Sequence, residues 1–170
     1  IGEDLGTVPD AMRENMDRWG VLSYKVFFFE KHSPSEFMNP AEYPANALVT
    51  VSTHDLPTLE GFWQGQDINI RTELDLYPSE DLRQRQIHER VMERVGILSA
   101  LEREHLLPDG ITTDPASVRR MTPELDLAIH LLLARTPSKL QVFQFEDVFQ
   151  QINQVNLPGT TEVLYPNWRQ

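Results

Sequence analysis

Apolar positions along the chain fall into three short strand-like runs and three stretches with helical spacing. Val21 to Phe29 (VLSYKVFFF) and Ala47 to Thr53 (ALVTVST) are rich in aromatic and β-branched residues and too short for typical helices, so each predicts a buried strand. Leu140 to Phe145 (LQVFQF) alternates enough to predict a third, ended by Glu146 and Asp147. Met12, Met16 and Trp19 recur at helical spacing behind a cap candidate, Thr7, and a first-turn proline, Pro9, and Gly20 stops the pattern. Pro78 to Asp81 places negative charge at the start of a longer helix with an apolar stripe of Ile87, Val91, Val95 and Leu98. Thr122 as cap and Pro123 in the first turn open another, whose Leu125, Ala128, Ile129, Leu131, Leu132 and Leu133 leave hardly any polar face, which predicts burial.

The remaining segments read as connections. Ser33 to Asn46 holds three prolines and predicts a long loop with one helical turn, and the tail from Asn156 to Arg169 reads as loop. The order is helix, strand, strand, helices, strand, the alternation of an α/β protein built on parallel strands. A carboxylate-bearing segment, Ile1 to Pro9, stands before all of it with no strand residues ahead of Ile1. The expectation is therefore a single partial domain over 1–170, part of a larger enzyme.

Composition narrows the chemistry. A net charge of -11 argues against nucleic-acid or anionic-membrane partners, which need clustered Lys and Arg, and no apolar run approaches the ~20 residues of a membrane helix. The chain has no cysteine, which removes disulfides and thiolate catalysis and fits a reducing compartment.

Two acidic segments carry the candidate chemistry: Ile1-Gly2-Glu3-Asp4-Leu5-Gly6-Thr7-Val8-Pro9 and Val51-Ser52-Thr53-His54-Asp55-Leu56-Pro57-Thr58. Each sits where a strand ends, the place catalytic groups occupy in parallel barrels. Each also has a plainer reading. Glu3-Asp4 suits a helix dipole, and Thr53-His54-Asp55 suits a helix-capping turn. His54 and Asp55 are sequence neighbours whose side chains point apart on a strand, so they make a poor chelate and no metal is expected. His32, His88, His105 and His130 are scattered and read as surface or helix-packing residues. Phe27, Phe28, Phe62 and Trp63 read as core, Phe29 and Glu30 as strand-end residues that can face a ligand, and Glu80 to Arg94 as a solvated helix face.

Four stretches, IGEDLGTVP (1 to 9), VSTHDLPTLEGFW (51 to 63), the run from Ala134 to Pro137, and QVNLPGTTEVLYPNWR (154 to 169), together resemble the C-terminal part of the 4-α-glucanotransferases, or amylomaltases, among the α-amylase-like glycosidases. That resemblance implies the C-terminal portion of a (β/α)8 TIM barrel with extra helical insertions. It implies retaining transfer of α-1,4-glucan segments between maltooligosaccharides and glucose, in the cytoplasm and without a cofactor. By motif match Glu3 is the general acid/base, Asp55 the transition-state stabiliser, His54 a donor-sugar partner and Asn156 a substrate-facing loop residue, although Asn before Leu-Pro-Gly is also an ordinary loop former. Retention needs a nucleophile about 5 Å from the acid/base. Its motif is absent from these residues, so the chain alone is expected to be inactive, and an open barrel edge makes self-association an expectation. Two other readings stand beside this one: a non-catalytic carbohydrate-binding or scaffold module, and a metal-dependent hydrolase using His54 and Asp55.

Overall fold

The computed structural model describes residues 1–169. Three parallel strands, β1 (Ser23–Val26), β4 (Ala47–Thr50) and β5 (Leu140–Val142), form a sheet in the order β1-β4-β5. β4 is central and buried at every position, which is why its sequence shows no polar alternation. Ile1–Asp4 extends along the outer side of β1, where the Gly2 amide donates to Leu22 O at 2.9 Å. A short hairpin, β2 (Lys31–Ser33) and β3 (Glu36–Phe37), follows β1 and runs into the segment expected to be loop, and the expected single helical turn is there at Pro40–Glu42.

All three strands are shorter than the apolar runs that predict them. β1 ends at Val26, and Phe27–Phe29 coil into a 3-10 turn. A continued strand would point Phe27 and Phe28 to opposite faces, whereas the turn buries both, Phe27 against Phe37 (4.6 Å between ring centres) and Phe28 stacked on Phe62 (4.3 Å). β5 stops at Val142, the residue paired with the last of β4, because the ladder has no partner beyond it.

The helices follow their start signals more closely than their stripes. α1 (Asp10–Arg18) is capped at Pro9 without a side-chain bond, not at Thr7, and of its expected stripe only Met16 is buried while Met12 and Trp19 are exposed. Gly20 at φ 66° ends it. α2 (Leu59–Gln64) and α3 (Gln66–Glu73) lead to the 24-residue α4 (Glu80–Arg103), capped by Ser79. α5 (Pro123–Ala134) opens on Thr122, whose hydroxyl accepts from the Leu125 amide at 3.2 Å. Its apolar surface is not wholly buried, since Leu127 and Leu131 face outward. α6 (Phe145–Val148) is one turn.

The charged run of α4 is not a wholly solvated face, and Val91 of the expected stripe is exposed. Arg90 is buried instead. Its guanidinium makes two 2.8 Å bonds to Asp67, donates to Phe62 O at 2.7 Å and lies 3.9 Å from the centre of the Phe62 ring. Arg94 covers Trp63 at 4.7 Å and donates to the carbonyls of Pro115 and Val118. Phe62 and Trp63 are core residues, as expected, and two arginines close that core against α3 and the 115–118 turn. Gly96 is required where α4 meets the β2–β3 hairpin, because a Cβ there would sit 2.8 Å from the Ser35 carbonyl carbon.

The sheet is bare at its β5 edge. Leu140, Val142, Phe143, Phe145, Val148 and Phe149 along β5 and α6 are all exposed, together with the unpaired outer edge of β5.

Removing one partner of the Arg90–Asp67 pair leaves a buried charge. Arg90→Met is expected to lower unfolding free energy by about 3 to 5 kcal/mol, and adding Asp67→Leu to recover a large part of it. Urea denaturation of the two single variants and the double variant measures this.

Candidate active site

β4 hands its chain to a tight turn that carries His54 and Asp55. Val51 and Ser52 are buried, Leu56 N donates to Thr53 O at 3.1 Å, and the Asp55 amide donates to Thr53 Oγ1 at 3.2 Å. The cap of α2 is Thr58, whose Oγ1 accepts from Gly61 N at 3.0 Å. Asp55 is therefore free of the helix-capping role. Its Oδ1 instead accepts from Asn156 Nδ2 at 2.6 Å and lies 3.4 Å from His54 Nε2, while the Asn156 amide donates to His54 O at 3.1 Å. Asp55 and His54 side chains remain 47% and 58% exposed, open to a ligand.

Three of the four expected site residues thus converge, and they do so because the tail is docked on α2. Thr58 Oγ1 donates to Gln151 O at 2.6 Å, and the Leu59 amide donates to Asp147 Oδ1 at 2.7 Å. Gly61 comes so close that a Cβ would sit 2.3 Å from Ile152 O. One aromatic side chain not singled out in the sequence joins them: the indole of Trp168 stands 5.1 Å from the His54 ring. Its only sequence signal is its place in the run ending Asn167-Trp168-Arg169.

Glu3 lies elsewhere, on the extended segment outside β1, and no hydrogen bond or ion pair among the described residues ties it to Asp55. It is exposed, on a segment that runs beside the outer edge of β1. Gly2 serves packing of α1, not the approach of a ligand: a Cβ would meet Met16 Cε at 2.8 Å. Asp4 does not face the start of α1. Its buried carboxylate accepts from the Ser23 hydroxyl and from Tyr24 N at 2.7 Å, with Arg13 and Lys25 at 3.6 and 3.7 Å. Burial pushes its pKa up, but the Ser23 and Tyr24 bonds and then the two cations outweigh burial and hold it below the usual carboxylate range.

Glu30 shares that neighbourhood. It lines a cavity of about 550 Å³ with Asp4, Arg13, Lys25 and the half-exposed Phe29. Burial raises its pKa, and Lys25, 3.8 Å away, offsets only part of the shift. His130 is a packing histidine, buried on α5 against Phe143 and 3.1 Å from Asp126. Among the described residues no three His, Asp or Glu side chains are placed to hold a metal ion, and no helix is long and apolar enough to cross a membrane.

The Asp55, His54 and Asn156 side chains gather beyond the end of the central parallel strand of an α/β protein, where such folds place catalytic groups. The chain belongs to the 4-alpha-glucanotransferase family, whose model matches residues 1–170. The 4-alpha-glucanotransferase of Haemophilus influenzae is 38% identical over 168 residues, covering 99% of this chain and 24% of its own length. That of Mycobacterium tuberculosis is 32% identical over 173 residues, covering 99% and 22%. The crystal structure of amylomaltase from Corynebacterium glutamicum superposes with a TM-score of 0.84 at 32% identity, over 99% of this chain and 24% of that one. Amylomaltase from Streptococcus agalactiae in complex with acarbose shares the fold, at a TM-score of 0.54 and 15% identity. The chain spans about a quarter of the length of these relatives.

Asp147 underpins the docked tail, and burial raises its pKa to about 6 against the bond from Leu59. The folded state then holds this proton more tightly than the unfolded state, so the group's stabilisation is complete below pH 4 and is lost as pH rises through about 6. Asp147→Asn is expected to remove that loss and to gain on the order of 2 kcal/mol over the native chain at pH 7.5 relative to pH 4. Melting temperatures of the two chains at both pH values measure the difference, with the other carboxylates cancelling.

Proposed function

We propose that this segment supplies the acid/base and the transition-state stabiliser of a cytoplasmic 4-α-glucanotransferase that moves α-1,4-glucan units between maltooligosaccharides and glucose by a retaining mechanism. The observation that carries the reading is the state of Asp55. It stands just past the central strand, takes no part in capping α2, and is steered by Asn156 and His54 while staying half exposed. A carboxylate so held can accept hydrogen bonds from sugar hydroxyls and favour positive charge developing on the ring. His54 donates to the same sugar, and Asn156 fixes the carboxylate. Glu3, exposed at the end of its extended segment, protonates the leaving oxygen and then activates the acceptor hydroxyl.

The nucleophile belongs to polypeptide outside these 170 residues. Asp4, next to Glu3, is no substitute, because its carboxylate is buried and held by Ser23, Tyr24, Arg13 and Lys25. The parallel order of β1, β4 and β5, with Ile1–Asp4 extended beside β1, suits consecutive strands of a (β/α)8 barrel, with α3 and α4 as helical additions. The apolar outer face of β5 and α6 then seats the remainder of that barrel or, failing that, a second copy.

In a polypeptide of the relatives' full length carrying this sequence, Glu3→Gln is expected to lower maltotriose disproportionation by about 10² to 10⁴ while leaving binding nearly unchanged. Asp55→Asn is expected to lower the rate at least as much, and His54→Ala less. The assay is appearance of glucose and longer oligosaccharides from maltotriose. Full turnover by Asp55→Asn would reject the assignment, and binding without turnover in the unaltered full-length chain would favour a carbohydrate-binding module. The 170 residues alone are expected to show no turnover.

A further inference from the structure

Trp168 has a backbone conformation that bulky residues avoid. Its φ is 62°, a left-handed value that costs a non-glycine residue on the order of 1 to 3 kcal/mol unless its surroundings impose it. Here they do. The Trp168 amide donates to Val155 O at 2.9 Å, and Asn167 N donates to Tyr165 O at 2.7 Å. The buried Asn167 side chain accepts from Leu157 N at 2.8 Å and donates to Thr160 Oγ1 at 3.0 Å. The loop from 155 to 168 is closed by these bonds, and the strained residue lies at the closure.

The strain brings folding little return. The residue is 63% exposed, so most of the roughly 150 to 250 Å² that a covered aromatic side chain removes from water stays wet. What the conformation achieves is placement. The ring is set 5.1 Å from His54 at a 40° tilt, and His54 in turn lies 3.4 Å from the Asp55 oxygen that Asn156 holds. Polar groups and one open aromatic face therefore border the same space. A pyranose has matching chemistry, with hydroxyls around its edge and an apolar C–H face.

We propose that Trp168 is a sugar-stacking residue, its indole covering the apolar face of the glucose unit whose hydroxyls Asp55 and His54 bind. The inference rests on the reading of Asp55 and His54 as sugar-binding groups. The two ends of the loop then have different roles, Asn156 orienting the carboxylate and Trp168 holding the ring.

The test uses the full-length polypeptide carrying this sequence and compares Trp168→Gly with Trp168→Phe. Glycine relieves the left-handed strain while removing the ring, so the Gly variant is expected to melt no lower than the native protein. Its KM for maltotriose is expected to rise about 3- to 10-fold, with kcat falling less than about 3-fold, and Phe is expected to restore KM to within about 2-fold. A second readout needs no turnover. In a Glu3→Gln background, maltotriose is expected to shift tryptophan emission to the blue, and Trp168→Phe to abolish that shift while still binding. An unchanged KM in the Gly variant, or an emission shift that survives Trp168→Phe, overturns the inference. If Asp55→Asn is inactive in the same preparation, the failure belongs to Trp168 alone. If Asp55→Asn is fully active, the sugar-site reading fails with it.

Discussion

The contact between Gly61 and the Ile152 carbonyl decides where the site can be. There is no room for a Cβ at that point, so the first turn of α2 and the segment after α6 meet backbone to backbone. Two further bonds fix the contact in register: Thr58 Oγ1 to Gln151 O, and Leu59 N to the Asp147 carboxylate. The hydroxyl of Thr58 thus caps its own helix and holds the tail at once. With the tail fixed at 147–152, the next turn of chain carries Asn156 back onto Asp55, a residue 101 positions earlier. The geometry around Asp55 is a property of this docking, and neither strand nor loop supplies it alone.

Burial and pairing act against one another on three carboxylates, and the outcome differs at each. Asp4 is the most heavily compensated, with a hydroxyl, an amide and two cations, and stays ionised. Glu30 has one lysine and is raised. Asp147 has a single amide, and its second oxygen has no partner, so burial wins by the widest margin. The most buried ionisable groups therefore stabilise the frame, while the carboxylates assigned to chemistry, Glu3 and Asp55, face solvent. Such a division suits groups that must meet a substrate without destabilising the fold.

Much of this was legible in the residues. The uninterrupted apolar run of β4, the Thr122-Pro123 start of α5 and the Gly20 stop of α1 each have one dominant local cause, and the structure follows them. The convergence of His54, Asp55 and Asn156 was accessible only through resemblance, because no local pattern spans a hundred residues. The strands are shorter than their apolar runs, since Phe27 to Phe29 satisfy strand propensity but form a 3-10 turn that buries Phe27 and Phe28 together. The buried Arg90 was hidden for a related reason. In a charged run an arginine that pairs with a distant aspartate and lies over a phenylalanine looks like its solvated neighbours until the partner is placed beside it. Trp168 left no such local trace at all, because a φ value is set by bonds from Val155, Leu157 and Thr160 that sequence order does not disclose.

The core and the chemistry also differ in how completely they are satisfied. Between the hairpin, α4 and α5 the core closes on itself, with arginines sealing its polar side. Along β5 and α6 the opposite holds, with a free strand edge and six apolar side chains in water. The Asp55 neighbourhood is tied to both, through α2 to the closed core and through Asp147 of α6 to the open side. Glu3 is placed by its neighbours, the Gly2 amide on Leu22 O and the buried Asp4. The two carboxylates are thus placed by separate parts of the frame, Glu3 by the segment beside β1 and Asp55 by the docking of the tail on α2.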